Sequence, residues 1–444
     1  MADIYSYITY ATFRQELANR LYDPNKTFWS DTELQAITKE CLRTWNAFTS
    51  FWRADFTFPS AQGVTYYDLT DTSNLPNTLR PLTLRDVDIY TDCQFALLEP
   101  AVGINPWTGV SSQFSADDLL NAVSRRRDEI LSVTGCTTTR RLVGAVAGRI
   151  PLADTVIDVR RMAYLPAIGS ASTMWPEDTW SEQSFASSYL QNPAGTPSTY
   201  LLSTQPPISF DTDRAPGAAG QYELLTVEAG PALSVPTPTP LIVPDDWAWL
   251  IKWSALADLL SRESNARDIP RATYAEQRYR MGLALLSNAS ALLALRIANT
   301  VMQIDSIRNA DLFRPGWQAE SQKQPDTAYH SGLNLLALAS VPDAGPYSLT
   351  ATVVQNAPIP TNDAANIQIA REDLDAILDL AVHTASFKQG GSALMSTMPL
   401  FERFMKVAQV YNAKLSETGE YTSVLYALSQ KQEQTAPRLE AQAG

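Results

Sequence analysis

His330 and His383 are the only histidines in the chain, so any Ser-His-Asp or Cys-His relay would have to use one of them. They lie in different segments. His383 sits inside "LDLAVHTASFK", a helical stretch, and reads there as a hydrogen-bonded structural group. Three cysteines, Cys41, Cys93 and Cys136, are far apart and odd in number. They imply no disulfide framework, and Cys41 reads as a small core residue. No H-E-x-x-H, C-x-x-C or Walker A pattern occurs. The carboxylates of "GVTYYDLTDTS" and "PDDW" are explained by turns and helix starts without metal or glycosidase chemistry. The expectation is a protein with no catalytic activity, no cofactor and no metal.

Arginine clusters stand out against an acidic background. They are Arg125, Arg126 and Arg127, then Arg140 and Arg141, then Arg160 and Arg161, in a chain of net charge −13. One reading is solvated faces with salt bridges to Asp117, Asp118, Asp128, Glu129 and Asp158. The other is contact with an acidic neighbouring subunit or with DNA phosphates, at an interface or along a DNA channel. Adjacent arginines on a strand point to opposite faces, so Arg140–Arg141 is not by itself a patch. The net charge excludes general electrostatic binding of nucleic acid, but suits a surface past which DNA slides without sticking.

The elements that would position these groups are legible in the spacing of apolar residues. Residues 10–21 carry Phe13, Leu17 and Leu21 at helical spacing, and "YDPNKTFW" breaks that helix. A second helix then presents Leu34, Ile37, Cys41, Trp45, Phe48 and Trp52 in steps of three or four, with Ser30 and Glu33 spaced as a capping box. "ADFTFPSAQGVTYYDL" alternates and predicts a β-hairpin; "LRDVDIYTD" predicts a strand; "SADDLLNAVSRRRDEIL" predicts a helix capped by Ser115. Strands are expected in "GCTTTRRLVGAVAGRIPL", "VIDVRRMAYLP", "STYLLS", "PPISFD" and "QYELLTVEA", and a short helix near residues 175–189.

Helix returns in "PDDWAWLIKWSALADLLSRES", with Trp249, Trp253, Leu256 and Leu260 on its apolar side. Residues 268–305, with Asp268 as cap and Pro270 in the first turn, read as one long helix. The Trp45/Trp52 face and the Trp249/Trp253 face are expected to meet, because each is too bulky to be left in water. The fold class is therefore α+β: a discontinuous α-helical bundle domain with an inserted antiparallel β domain, plus a C-terminal mainly helical extension. The boundaries are 1–54 and 244–314 for the helical domain and 55–243 for the insertion. They continue with 315–345 as linker, 346–430 as strand plus helices, and 431–444 as a mobile tail. With 18% charged residues, many exposed positions must be neutral, as in assembled proteins. No stretch approaches about 18 uninterrupted apolar residues, so no membrane span is expected. The N-terminal residues show no signal-peptide pattern.

Three segments carry a likeness to a known family. They are "FRQELANRLYDPNKTFWSDTELQAITKECLRTWNAFTSFWR", "LIVPDDWAWLIKWSALADLLSRESNARDIPRATYAEQRYRMGLALL" and "NAPIPTNDAANIQIAREDLDAILDLAVHTASFKQGG". Together they resemble the head-to-tail connector proteins of tailed bacteriophages, also called adaptor or neck proteins. The resemblance covers somewhat over a quarter of the chain and rests on patterns of packing helices; the β insertion is larger than in the small all-helical adaptors. It implies a virion protein made in the bacterial host cytoplasm. Copies would form a ring, typically of twelve, beneath the portal protein. The ring would receive a tail tube, nozzle or fibre-attachment component, and double-stranded DNA would pass through its lumen without sequence-specific binding. In this reading the helical domain docks on the portal. The alternatives are a tail-tube, nozzle or baseplate protein and, from another class, a cell-envelope glycan hydrolase.

Overall fold

The computed structural model describes residues 8–98, 114–167, 171–178, 192–203, 208–234, 237–263, 267–298, 300–320, 323–343 and 347–417. Two helices open it, α1 (Tyr10–Arg20) and α2 (Asp31–Thr49). β1 (Arg53–Pro59), β2 (Tyr66–Asp68), α3 (Asp86–Leu97) and α4 (Ala116–Thr134) follow. Next come β3 (Thr139–Gly144), β4 (Ile150–Pro151), β5 (Val156–Pro166), β6 (Ser172–Glu177), β7 (Thr199–Ser203), β8 (Ser209–Thr212) and β9 (Gly220–Glu228). Helices α5 (Trp249–Ser261) and α6 (Ile269–Leu286) lead into β10 (Leu292–Ile297), β11 (Thr300–Val301), β12 (Gln303–Ser306), α7 (Ile307–Phe313), β13 (Thr327–Ser331), β14 (Leu335–Ala339) and β15 (Ser348–Val354). The described chain closes with α8 (Leu374–Ser386), α9 (Gly391–Ser396) and α10 (Met398–Glu417). The class is mixed α+β, with several sheets.

The caps read from sequence set the helix starts. The Ser30 hydroxyl accepts the Glu33 amide at 3.3 Å, Ser115 and Asp118 complete a capping box, and Asp268 accepts the Arg271 amide at 3.1 Å. Glu33 does not turn back to Ser30. Its carboxylate takes Lys388 at 2.9 Å, so only half of that expected capping box forms.

Three sheets are present among the described residues. One has the order β1-β15-β10-β11, another β12-β13-β14-β2, and the seven-stranded sheet β3-β9-β5-β6-β7-β8-β4. The expected β1–β2 hairpin does not form. β1 pairs antiparallel with β15, with Arg53 opposite Val354, and β2 pairs with β14. Each finds its partner well over 200 positions away, beyond what local alternation can specify.

Four further expectations are corrected. "LRDVDIYTD" lies in α3, not in a strand: Ile89, Tyr90 and Cys93 are buried at helical spacing, and the Asp88 carboxylate caps the Arg85 amide at 3.0 Å. The helix expected to run from 268 to 305 ends at Leu286, where the side chains of Ser287 and Asn288 bond back to the carbonyls of Leu283 and Ala284. The leucine-rich stretch after it becomes β10, which pairs with β15. Residues 315–345 are not a linker: they hold the buried Trp317, β13 and β14, and every residue of β14 is buried. The short helix expected near 175–189 begins as the end of β6, and its remainder from 179 lies outside the described residues. The proposed tail, 431–444, also lies outside them.

One apolar core collects residues from α1, α2, α3, α4, α5, α6, α8 and α10, from Ile8 to Ala408. The C-terminal helices are therefore part of the same core as the opening pair. A second core, with Met162, Tyr164, Phe210, Tyr222 and Leu224, belongs to the seven-stranded sheet. A small third core, with Tyr66, Leu225, Ile307, Trp317 and Tyr329, joins that sheet to α7 and the β13–β14 hairpin.

Candidate functional site

The opening stripe is buried within the chain. Leu34, Ile37, Trp45, Phe48 and Trp52 are all in the core, as are Trp249, Trp253, Leu256 and Leu260. The two aromatic faces meet only in part. Phe48 stacks on Trp249 at 6.2 Å between centroids, whereas Trp45 sits among Phe51, Phe404 and Tyr411, and Trp52 donates its indole N–H to the Gln368 carbonyl. The wide stripe on α2 thus divides between α5 and the C-terminal segment. Sequence reading assigned it to α5 alone.

Behind these faces lies a polar network that sequence reading missed. Glu40 of α2 is buried and accepts the Lys252 ammonium, the Trp253 indole N–H at 2.8 Å and Arg278 at 3.4 Å. Burial pushes its carboxyl up, but Lys252 and Arg278 more than offset that and hold it below its ordinary value. Arg278 also lies 4.3 Å over the Trp253 ring and donates to the Tyr274 hydroxyl at 3.3 Å. Tyr274 continues to His383 and from there to Thr397. A signal was present: Lys252 interrupts "WAWLIKWSALADLL", and a charge inside an all-round apolar helix must find a partner.

All seven arginines of the sequence clusters are engaged inside the chain. Arg125 and Arg126 pair with Asp258, and Arg126 also with Glu129 at 2.8 Å. Arg127 is 1% exposed and donates to Asp128 and to the carbonyls of Gly230 and Pro231. Arg140 pairs with Glu223, Arg141 with Glu228, and Arg160 with Asp158 and the Ser132 carbonyl. Arg161 is buried and grips Glu223 at 3.0 Å and Asp311 at 2.6 Å. Burial alone would lower its pKa; Tyr66, Asp311 and Glu223 outweigh this and keep the guanidinium charged. Arg127 and Arg161 are therefore not surface contacts for DNA or a partner. Arg125, at 62% side-chain exposure, is the most exposed of the seven.

The turn between α1 and α2 is organised differently. The Asp23 carboxylate accepts the amides of Thr27, Phe28 and Trp29 and the Thr27 hydroxyl, and these bonds hold its pKa far below the usual range. The loop so fixed displays Tyr22 at 95% exposure and Phe28 at 44%. Tyr22 has φ +57° and Lys26 φ +55°, two left-handed non-glycine residues within five positions. Lys388 of the C-terminal segment clamps the loop from behind, donating to the Phe28 carbonyl at 2.8 Å and lying 4.5 Å over its ring.

No protein-family model matches this chain, and neither does any curated protein.

Its chemistry must therefore be read from its own residues. Among the described residues, no group of three or more His, Cys, Asp or Glu could hold a metal ion, and the three cysteines are buried and free. No helix is long and apolar enough to cross a membrane. His383 is committed to the buried network. His330 lies apart from it, on the wall of a cleft against the seven-stranded sheet. The displayed α1–α2 turn and this cleft are two features of the described residues that internal packing does not account for.

Proposed function

We propose that the chain is a structural protein of a tailed-bacteriophage neck. Copies form a ring, twelve by the resemblance, that docks beneath the portal protein, receives the next tail component and continues the DNA channel. In this reading the discontinuous set of helices is the docking and ring-forming part. The inserted β-sheet is the collar or tail-side platform, and the C-terminal helices are the extension that braces the docking part.

The observation that carries the reading is the α1–α2 turn, which belongs to the first segment of the likeness. A left-handed tyrosine costs roughly 1–2 kcal/mol, and a ring left 95% exposed returns none of it through burial. Strain of this kind persists where the surroundings enforce it, and it clusters where a partner uses it. Asp23 fixes the loop before a partner arrives, so little ordering entropy is lost on docking. A closed ring also needs two different complementary patches on each copy. Leu312 and Phe313 at the end of α7, 51% and 82% exposed, offer a second apolar patch. The net charge of −13 keeps duplex DNA from adhering to the lumen.

The seven-stranded sheet, with a core of its own, favours a second reading as a tail-tube, nozzle or baseplate protein. The balance of 40% helix to 25% strand weighs toward the connector, because tube walls are dominated by strands. Immunogold electron microscopy of virions from the encoding phage, with antibody against this chain, tests the proposal. Label at the head–tail junction is expected. Label at the tail tip replaces the connector by the second reading, and absence of label from opened particles overturns both.

A further inference from the structure

We infer that the cleft between the seven-stranded sheet, α7 and the β13–β14 turn is a binding site for a small organic anion that carries a ring. The inference does not rest on the proposed function. The cleft holds about 480 Å³, within the range of small-ligand pockets.

Its walls are tied in place by contacts that use other residues. Gly332, at φ +61°, turns the β13–β14 hairpin directly against the end of α4; an added Cβ would meet the Gly135 carbonyl at 2.7 Å. Beside it, the Leu333 amide donates to the Cys136 carbonyl, and the Asn334 side chain bonds both the amide and the carbonyl of Thr138. On the opposite wall, Asp311 of α7 is held by Arg161 of β5, by Thr173 at 3.1 Å and by the Trp317 indole at 3.0 Å. Arg308 lies one helical turn before Asp311, on the same face of α7, so the anchored carboxylate aims that face at the cleft.

What remains available in the cleft suits an anion. Arg308 is exposed and has no ion-pair partner among the described residues. Arg160 also stands at the wall, with its guanidinium paired to Asp158 and to the Ser132 carbonyl. His330 and Tyr200 also line the space, and neither side chain has a hydrogen-bond partner among the described residues. Trp175, 40% exposed, supplies a flat apolar surface for a ring. Burial lowers the His330 pKa and outweighs Asp305, which raises it, so burial favours the neutral imidazole. An unpaired arginine at a cleft of an acidic chain suits a small anion better than a nucleic-acid polymer, which the −13 net charge repels. Phosphate and carboxylate heads share this chemistry.

Isothermal titration of the full chain at low ionic strength tests the inference. Adenosine monophosphate and glucuronate are the probes; adenosine and glucose are uncharged controls. Saturable binding of at least one anion at a single site is expected, with neither control binding. AMP alone would assign a phosphate head, and glucuronate alone a carboxylate head. Arg308→Ala, which removes an exposed side chain with no structural partner, should weaken that binding about tenfold or more without changing the melting temperature. Trp175→Ala should weaken it as well. Failure of both anions to bind the folded chain, equal binding of the uncharged controls, or unchanged affinity in Arg308→Ala would overturn the inference.

Discussion

The Tyr274 hydroxyl and Nε2 of His383 lie 2.7 Å apart and join α6 to α8 inside the helical core. The direction of this bond follows from its neighbours. Arg278 donates to the Tyr274 oxygen, and the Thr397 hydroxyl donates to the Leu394 carbonyl. Thr397 must then accept from Nδ1–H of His383, and Nε2 must accept from Tyr274. Protonating Nε2 would set two donors against each other beside a buried guanidinium. Burial first, and Arg278 second, push the His383 pKa down to about 3.

This depressed pKa makes stability depend on pH. In the unfolded chain the imidazole takes its proton near pH 6.5, and in the folded chain only near 3. The unfolded state therefore binds more protons between those values. The stabilisation is complete above about pH 6.5 and is lost as pH falls toward 3. Asp92 and Asp246, pushed up to about 6 by burial, act in the opposite sense as pH rises from about 4 to 6, so the total slope mixes both signs. Comparison with His383→Gln isolates the histidine. The stability difference between wild type and variant should shrink by about 2–3 kcal/mol between pH 7 and 4.5, read from urea midpoints. A difference independent of pH would refute the assigned protonation.

The Glu40 network predicts an asymmetry between its partners. Glu40→Leu leaves Lys252 and Arg278 buried without a carboxylate and should cost about 3–5 kcal/mol. Lys252→Met leaves Glu40 with Arg278 and the Trp253 N–H and should cost clearly less. Equal losses in chemical denaturation would mean that the network does not act as drawn.

Trp45 separates volume from polarity. Its ring is fully buried, and its Nε1 has no hydrogen-bond partner. Trp45→Ala should lower stability by about 3–5 kcal/mol. Trp45→Phe, which also removes an unsatisfied donor, should cost less than half of that. An unchanged melting temperature in the alanine variant would place Trp45 outside the core.

Tyr22 should show the reverse of an ordinary core substitution. Asparagine tolerates the left-handed backbone, so Tyr22→Asn should raise stability by about 0.5–1 kcal/mol. The same change should reduce incorporation of the chain into particles, measured by quantitative blotting of purified virions. Normal incorporation would remove the turn from the proposed docking surface.

What the sequence revealed was local. Ser30, Ser115 and Asp268 marked helix starts correctly because a cap acts within one turn. "LLALRI" did not reveal β10, because leucine and alanine favour helix until β15 supplies a partner. Residues 315–345 looked like a linker because polar residues surround Trp317 and the five buried residues of β14. The arginine clusters were visible, and three of the five acids expected beside them, Asp128, Glu129 and Asp158, do pair with them. Asp258, Glu223, Glu228 and Asp311 reach them through the fold, and only Asp128, Glu129 and Asp158 are sequence neighbours. The cleft could not be read at all, since its walls come from segments between residues 134 and 332.

The pairing of β15 between β1 and β10 sets a schedule for synthesis. Arg53 waits for Val354, about 300 residues later, which at ribosomal speeds of about 5–20 residues per second is roughly 15–60 s. A chain stopped before Tyr347 would leave β1 and β10 as open edges, and the helix pair would lack α8 and α10 against its aromatic face. The helical layer is therefore completed only after α10 has been made, long after the helix pair that it covers.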